Sequence, residues 1–473
     1  MKLTYQVNEK APFGKNIVYA FQQLLAILAA TVLVPVLVNG DTGTGYLNQA
    51  SALIGAGVGT LVYLLFTKFK SPVFLGSSFA FIAPLCTAVA YGYLGIILGS
   101  IFAGLVYVII AIVISKVGSN WIKKLMPPVI IGPTVALIGL SLSGSAINNV
   151  MNTAVSVDNY NLLHIFVAVI TFLATVLASV KGTKGMKLIP FIIGVGAGYI
   201  VAAICTLVGY HVFDNVYFKI IDFSVFSKVV DLKNWIPDIT FIGAIKEIAS
   251  GNVLGGQGFT AVLSLLLAFA PVALVVFAEH VADHRNISSI IEQDLLEDPG
   301  LHRTLLGDGV GSIAGALMGG CPNTTYGESV GCVAITGVAS IYTIFTTAIL
   351  CIVLAFVYPV MLLIQSIPGC VVGGISIALY GFIAVSGLRM FKHVDLDNSK
   401  NLFIVAAILV PGLGGLKLVF GAIEISSIAC ALILGIIVNI ILKPAKAKVN
   451  KEVSYEEDKE TEETMFGTIA KDK

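Results

Sequence analysis

The chain has 473 residues, 57% hydrophobic and only 12% charged. Its mean hydropathy of +0.94 excludes an ordinary soluble domain, in which roughly a quarter of the residues are charged, and specifies a polytopic membrane protein built as one large integral domain in a lipid bilayer. The net charge of +1 by itself says nothing about nucleic acid, and with no basic stripe interleaved with aromatics none is expected as a partner.

The polar stretch 1–16 is too long for a signal-peptide start and lacks a small-residue cleavage site, so no removable leader is expected. Apolar runs follow at about 17–39, 48–67, 80–92, 94–115, 128–146, 161–180, 188–208, 260–284, 303–319, 329–338, 339–358, 360–388, 401–416 and 419–442, by the hydropathy criterion. They predict fourteen crossings, two of them short. The seven cysteines fall mostly inside these runs, with no CxxC pair, and read as small packing residues. The Lys- and Glu-rich tail 443–473 cannot bury enough surface to fold alone.

Lys and Arg test the count, because short cytoplasmic loops should carry them. With the N-terminus inside, Lys68, Lys70, Lys116, Lys123, Lys124, Lys181, Lys184, Lys187, Arg285, Arg303, Arg389, Lys392 and Lys400 share one side. Opposite them stand Lys417 and the lysines of one long loop, Lys219, Lys228, Lys233 and Lys246. Both termini are therefore expected in the cytoplasm, with the protein in the cytoplasmic membrane.

The two short runs, third and tenth in order, each follow an extended, small-residue piece: Leu75-Gly76-Ser77-Ser78-Phe79-Ala80 and Asn323-Thr324-Thr325-Tyr326-Gly327-Glu328. Their separation by seven segments predicts two inverted repeats of seven, since interrupted segments at matching positions mark the binding site of such transporters. Extended backbone at membrane depth must pair inside the protein or line a cavity, so the two pieces are expected to pair antiparallel. Each would lead into a half-helix whose N-terminal amides face the centre. The fold class is thus all-α and polytopic, with short strands in segments 3 and 10. Its divisions are a cytoplasmic N-terminus (1–16), a first repeat (17–208), an extracytoplasmic loop (209–259), a second repeat (260–442) and a disordered cytoplasmic tail (443–473).

Ionisable groups at membrane depth are functional candidates by default. Glu328 lies in the second extended piece, and Glu279 lies in Phe277-Ala278-Glu279-His280-Val281-Ala282-Asp283-His284. Glu279 and Asp283 are four apart on one helical face, as are His280 and His284 on an adjoining one. The histidine pair is half of a zinc-helix spacing; the third ligand is missing, and His284 is expected to reach the cytoplasmic interface beside Arg285. Asp308 suits a structural or gating role, Glu424 a scaffold hydrogen bond, and Tyr380 a pocket lid or packing. No Walker-type nucleotide motif is present, which leaves an ion gradient or downhill transport. Burial and like charge both hinder ionisation of paired carboxyl groups, so a proton is the expected coupling ion, with sodium the alternative, and no cofactor is expected.

At these residues the chain resembles the nucleobase/ascorbate transporter family, in its uracil-permease branch. The likeness covers nearly all of 11–442 through Gln22, Ala29-Ala30-Thr31-Val32-Leu33-Val34-Pro35, Gly76-Ser77-Ser78-Phe79-Ala80-Phe81, Ala278-Glu279-His280, Asp298-Pro299-Gly300-Leu301-His302-Arg303, Pro322-Asn323-Thr324-Thr325-Tyr326-Gly327-Glu328 and Leu379-Tyr380-Gly381. The resemblance implies fourteen segments split into a core domain and a gate domain, a homodimer, and uracil import by proton symport. It implies substrate contacts from the Glu279 and Glu328 side chains and the Phe79 and Gly327 amides. It further implies that Ala30, Tyr326 and Tyr380 line the pocket and that Asp283 partners Glu279 in proton coupling. The family signature places Asn where this chain has Ser329, while Gly331, Thr336 and Gly337 fit, and Gln23 stands where some relatives have His. Glu at position 328 favours a pyrimidine. A xanthine or urate carrier of the same family, an anion exchanger on the related fold and a metal-dependent intramembrane enzyme built on His280 and His284 are the competing readings.

Overall fold

The computed structural model describes residues 3–118, 121, 125–151, 161–420 and 423–442. The tail 443–473 and the side chain of Glu424 lie outside the described part.

Helix α1 (Phe13–Thr42) starts after Pro12 and ends where Gly43 takes the left-handed conformation and donates to the Asn39 carbonyl. Asn48 caps α2 (Gln49–Phe66) by accepting from the Ala50 and Ser51 amides. Strand β1 (Leu75–Ser77) runs through a 3₁₀ turn, Phe79–Phe81, into α3 (Ile82–Val89), and α4 is Gly92–Val117. Then come α5 (Pro128–Ser141), α6 (Leu162–Lys181) and α7 (Pro190–Ile204). After the long loop lie α8 (Phe259–Ile291), α9 (Leu301–Gly319), β2 (Asn323–Thr325), α10 (Gly327–Thr336) and α11 (Ile341–Ala355). The last described elements are α12 (Gly369–Arg389), α13 (Ser399–Leu413), a hairpin of β3 (Leu418–Phe420), which is exposed, and β4 (Ile423–Ile425), and α14 (Ser427–Ile441).

Among the described residues, eight helices are long and apolar enough to cross a membrane; the pair Ile341–Ala355 and Tyr358–Gln365, bent by 77°, makes a ninth if taken as one span. The protein is a multi-pass helical membrane protein. The apolar run expected at 360–388 is divided: a helix over Tyr358–Gln365 ends at Ser366, and Pro368 opens α12. Proline lacks an amide donor and fixes its own φ, so it starts the new helix where the old one cannot continue.

Two sets of helices pack side by side. In one, α9 lies between α2 and α4, α11 packs on α1 and α2, and α8 packs on α4. In the other, α12 packs on α5 and α6, α6 on α7, and α13 on α5 and α14. Helices α2 and α9 meet almost backbone to backbone: a Cβ on Gly55 would lie 2.5 Å from the Gly315 carbonyl oxygen. Without a water-driven force between helices in lipid, such small-residue contact is what holds them together.

The long loop is folded onto this body. Its helix Thr240–Ala249 places Glu247 against the start of α4, where the Leu94 amide donates to Oε2 at 3.3 Å, and Ser51 donates to the Asp238 carbonyl. The N-terminal stretch is pinned too. Thr4 N donates to Gly337 O at 2.7 Å, Ile341 N donates to Val7 O at 2.9 Å, and Val7 is buried.

Candidate substrate site

The two extended pieces pair antiparallel, with Leu75 opposite Thr325, Gly76 opposite Thr324 and Ser77 opposite Asn323. The pairing continues at both ends through Tyr326 N to Phe74 O (3.1 Å) and Ser78 N to Pro322 O (3.0 Å). Side chains complete it: Thr60 Oγ1 accepts from Leu75 N (3.0 Å), and Asn323 Nδ2 donates to Gly55 O (2.8 Å). The Tyr326 ring covers Gly76, where any Cβ would overlap it, and its hydroxyl donates to Ser77 O at 2.7 Å. Gly76→Ala is therefore expected to destabilise the purified protein by about 1–3 kcal/mol, the usual cost of overpacking. An unchanged melting temperature in detergent would show that the ring moves aside freely.

From the crossed strands the chain enters two half-helices, α3 and α10, whose N-termini have no side-chain cap. Their first amides are thus open to an acceptor from outside the helix. Glu328 sits in the first turn of α10.

Accessibility locates the opening. Gly327 and Glu279 are exposed, and Glu328 and Phe79 are half-buried, in a region otherwise closed by Phe277, His280, Tyr326 and Ser329. Glu279 is solvent-accessible while its neighbours Phe277 and His280 are buried, so it stands on the wall of an opening between the helices. The opening continues along one face of α8 through Ala282, Asn286 and Ser289, all exposed or half-buried, and along α10 through Gly331 and Ile335. Around α3 the way is shut by Ile82, Leu85, Ala88 and Val89, which pack with Leu33 and Leu37. The accessible side is the one where Gly337, at the end of α10, meets the N-terminal residues Thr4 and Tyr5.

Four carboxyl groups converge here. Glu279 lies within electrostatic range of Glu328 and Asp308, and Asp283 within range of all three. Asp283 is buried, accepts from Thr325 Oγ1 at 2.8 Å, and lies beside Gly327. Strand β2 thus ties the two carboxylate-bearing helices together. Thr325 had no signal of its own in the sequence, because its partner is set by the strand crossing.

The remaining candidates take other places. Ala30 and Tyr326 are buried in one apolar cluster against which Phe79 packs. Tyr326 braces the strands from behind. Tyr380, on α12, is buried in the cluster holding Ala80, Phe81 and Phe277, with its hydroxyl near Asp41 and Cys86. His284 does not reach the interface as the sequence predicted: it is fully buried, its Nδ1 bonds the His280 carbonyl (2.8 Å), and its Nε2 bonds the Tyr63 hydroxyl (2.6 Å). His280 stacks on it at 4.1 Å and bonds Asp308 Oδ2 (2.6 Å) and Thr304 Oγ1 (3.1 Å). All four ring nitrogens are engaged, which leaves none for a zinc ion. A carboxylate and a histidine buried on neighbouring helices are more stable paired than apart, so Asp308 on α9 holds the His280 ring on α8.

The chain matches the Permease family over residues 14–420. It is 38% identical to the uracil permease of Bacillus caldolyticus over 447 residues, covering 93% of this chain and 95% of that protein. It is 36% identical to the uracil permease of Bacillus subtilis (strain 168), with 90% and 92% covered, and 34% identical to that of Escherichia coli (strain K12), with 92% and 93% covered. Two solved structures share the fold at low identity. The transmembrane domain of the cyanobacterial bicarbonate transporter BicA has a TM-score of 0.58 at 14% identity, covering 92% of this chain and 100% of that one. Murine Solute Carrier 26 family member A9, an anion transporter in the inward-facing state, has 0.59 at 11%, covering 92% and 69%. A match spanning most of the chain, joined to a crossed-strand site inside a multi-pass helical body, makes this protein a member of the nucleobase/ascorbate transporter family of permeases, a transporter and not an enzyme.

Proposed function

We propose that the protein imports uracil across the cytoplasmic membrane by proton symport, through alternating access of a single central site. The observation that carries this reading is the grouping of Glu279, Glu328 and the Gly327 backbone at one interior opening. Uracil presents two ring N–H donors and two carbonyl acceptors in a flat, neutral ring. Glu279 and Glu328 accept from the N–H groups, and the amides of Phe79 and Gly327 donate to a carbonyl. A site built this way rejects rings that leave its polar groups unpaired, a stronger filter than shape. The curated relatives named uracil permease support the same substrate.

The reading includes fourteen crossings in two inverted repeats, 17–208 and 260–442, with both termini in the cytoplasm. Packing supports it. Exchanging α1–α7 with α8–α14 turns the α2–α11 contact into α9–α4, α6–α7 into α13–α14, and α6–α12 into α13–α5, all of them observed pairs. The set containing the crossed strands is the core and the other is the gate, which also carries the homodimer contact. With the N-terminus inside, the opening along α8 and α10 faces the cytoplasm, so the conformation is inward-open. Asp283 acts beside Glu279 in proton coupling, held by Thr325.

Uptake of labelled uracil in cells lacking their own nucleobase carriers tests substrate and ion together. Accumulation should rise when the outside is made acidic, with or without sodium, and should resist excess xanthine and urate. Sodium-dependent uptake, or strong competition by the purines, would overturn the corresponding part.

A further inference from the structure

We propose that the loop helix Thr240–Ala249 is a membrane-surface anchor, whose outward apolar face lies in the headgroup region of the bilayer. Its inward side does the docking. Thr240 and Ala244 are buried, and Glu247 accepts from the Leu94 amide and lies beside Gly92. Gly243 is so close to the Tyr93 ring that a Cβ there would come within 2.7 Å of it. Just before the helix the Asp238 carbonyl accepts from Ser51 Oγ, and Thr240 at its start faces Gly320. The helix is therefore seated where α2 and α4 begin and α9 has just ended.

The opposite side is apolar and open. Phe241 and Ile242 are 47% exposed, and Ile245 and Ile248 are 48% exposed. At about 100° per residue these four and the exposed Ala249 fall within an arc of about 120°, which no charged residue interrupts. Lys246 stands at its edge, where its stem can follow the apolar surface while its ammonium stays at the level of the lipid phosphates. Exposed apolar residues flank the helix at both ends, Ile236 before it and Val253 and Phe259 after it. A helix with one docked polar side and one unbroken apolar side has the form that lies in a membrane interface. The bilayer is the occupant because the helix is docked on the first turn of α4, a membrane span whose own outward side chains, Leu105, Ile109 and Ile112, are exposed and apolar. Helices α2, α4 and α9 belong to the set that holds the crossed strands, so that set carries its own hold on the bilayer.

Tryptophan fluorescence tests the placement. Ile245→Trp and Ile248→Trp, made separately so that either can report if the other fails to fold, are reconstituted in nanodiscs of phosphatidylcholine carrying bromine on the acyl chains near the headgroups. Wild type in the same lipid supplies the baseline of the two native tryptophans. The added emission should fall about twofold or more relative to unbrominated lipid, and aqueous iodide should quench it less than the bromine does, as a side chain at the headgroup boundary requires. Iodide as the stronger quencher would put this face in water and overturn the proposal. Quenching by neither would mean that protein covers the face, a second copy of the chain included, and would overturn it equally.

Discussion

Under the proposed proton symport, replacing Glu279 by Gln is expected to abolish concentrative uptake of uracil and to leave the protein inserted in the membrane in normal amount. Glutamine keeps the size of the side chain and its ability to accept one hydrogen bond, but it can neither take up nor release a proton. Glu279 is the group best placed to carry that proton, because it is reached from the opening and lies within electrostatic range of Glu328, Asp308 and Asp283. Four carboxyl groups in one low-dielectric region repel one another when charged, so in the proposed symport a proton carried in with the substrate relieves the repulsion in one state and restores it on release. The measurement is the accumulation ratio of labelled uracil against surface-exposed protein. Exchange of internal for external uracil serves as the companion readout, because exchange needs a site but no net proton movement. Retained exchange with lost accumulation assigns Glu279 to coupling; undiminished accumulation would sink that assignment.

Glu328→Ala acts on binding. Its carboxylate stands in the first turn of α10 and borders the opening beside the Gly327 backbone. In the proposed site, truncation removes a charge-assisted hydrogen bond to a ring N–H, worth about 1.5–3 kcal/mol, so uracil binding should weaken about 10- to 150-fold. The methyl group of alanine suits the start of a helix, and Tyr326 still braces the strands, so the melting temperature should change little. Calorimetry on purified protein checks both statements. Wild-type affinity in this variant would remove Glu328 from the contacts.

Much of the architecture was legible from the chain. The third and tenth apolar runs stand out because each is too short to cross a bilayer and follows a piece rich in Gly, Ser and Thr. Extended backbone at that depth has to find a partner, and the antiparallel pairing of Leu75–Ser77 with Asn323–Thr325 followed from this constraint. The break inside the run 360–388 was less visible, because the short interruption Gln365-Ser366-Ile367-Pro368-Gly369 lies between strongly apolar stretches and a window average smooths over it. His284 was misplaced for a related reason. Helical spacing puts it on a polar face near Arg285, but Tyr63 and Ser71 close over it from α2 and the segment after it, and periodicity along α8 carries no information about what packs on that face.

The sequence by itself determined a multi-pass membrane protein, the order of its apolar segments, the two interrupted ones and the carboxylates Glu279 and Glu328, because the cost of polar groups in lipid is local and leaves its mark residue by residue. Only the tertiary structure decided that Asp283 hangs from Thr325, that Asp308 pairs with His280, that Tyr326 lies over Gly76 and that Gln23 reaches Ser329 across 306 residues of chain. Those pairings depend on which helices become neighbours, and the small-residue contact between α2 and α9 that brings them together is a property of two surfaces meeting, which neither segment displays alone.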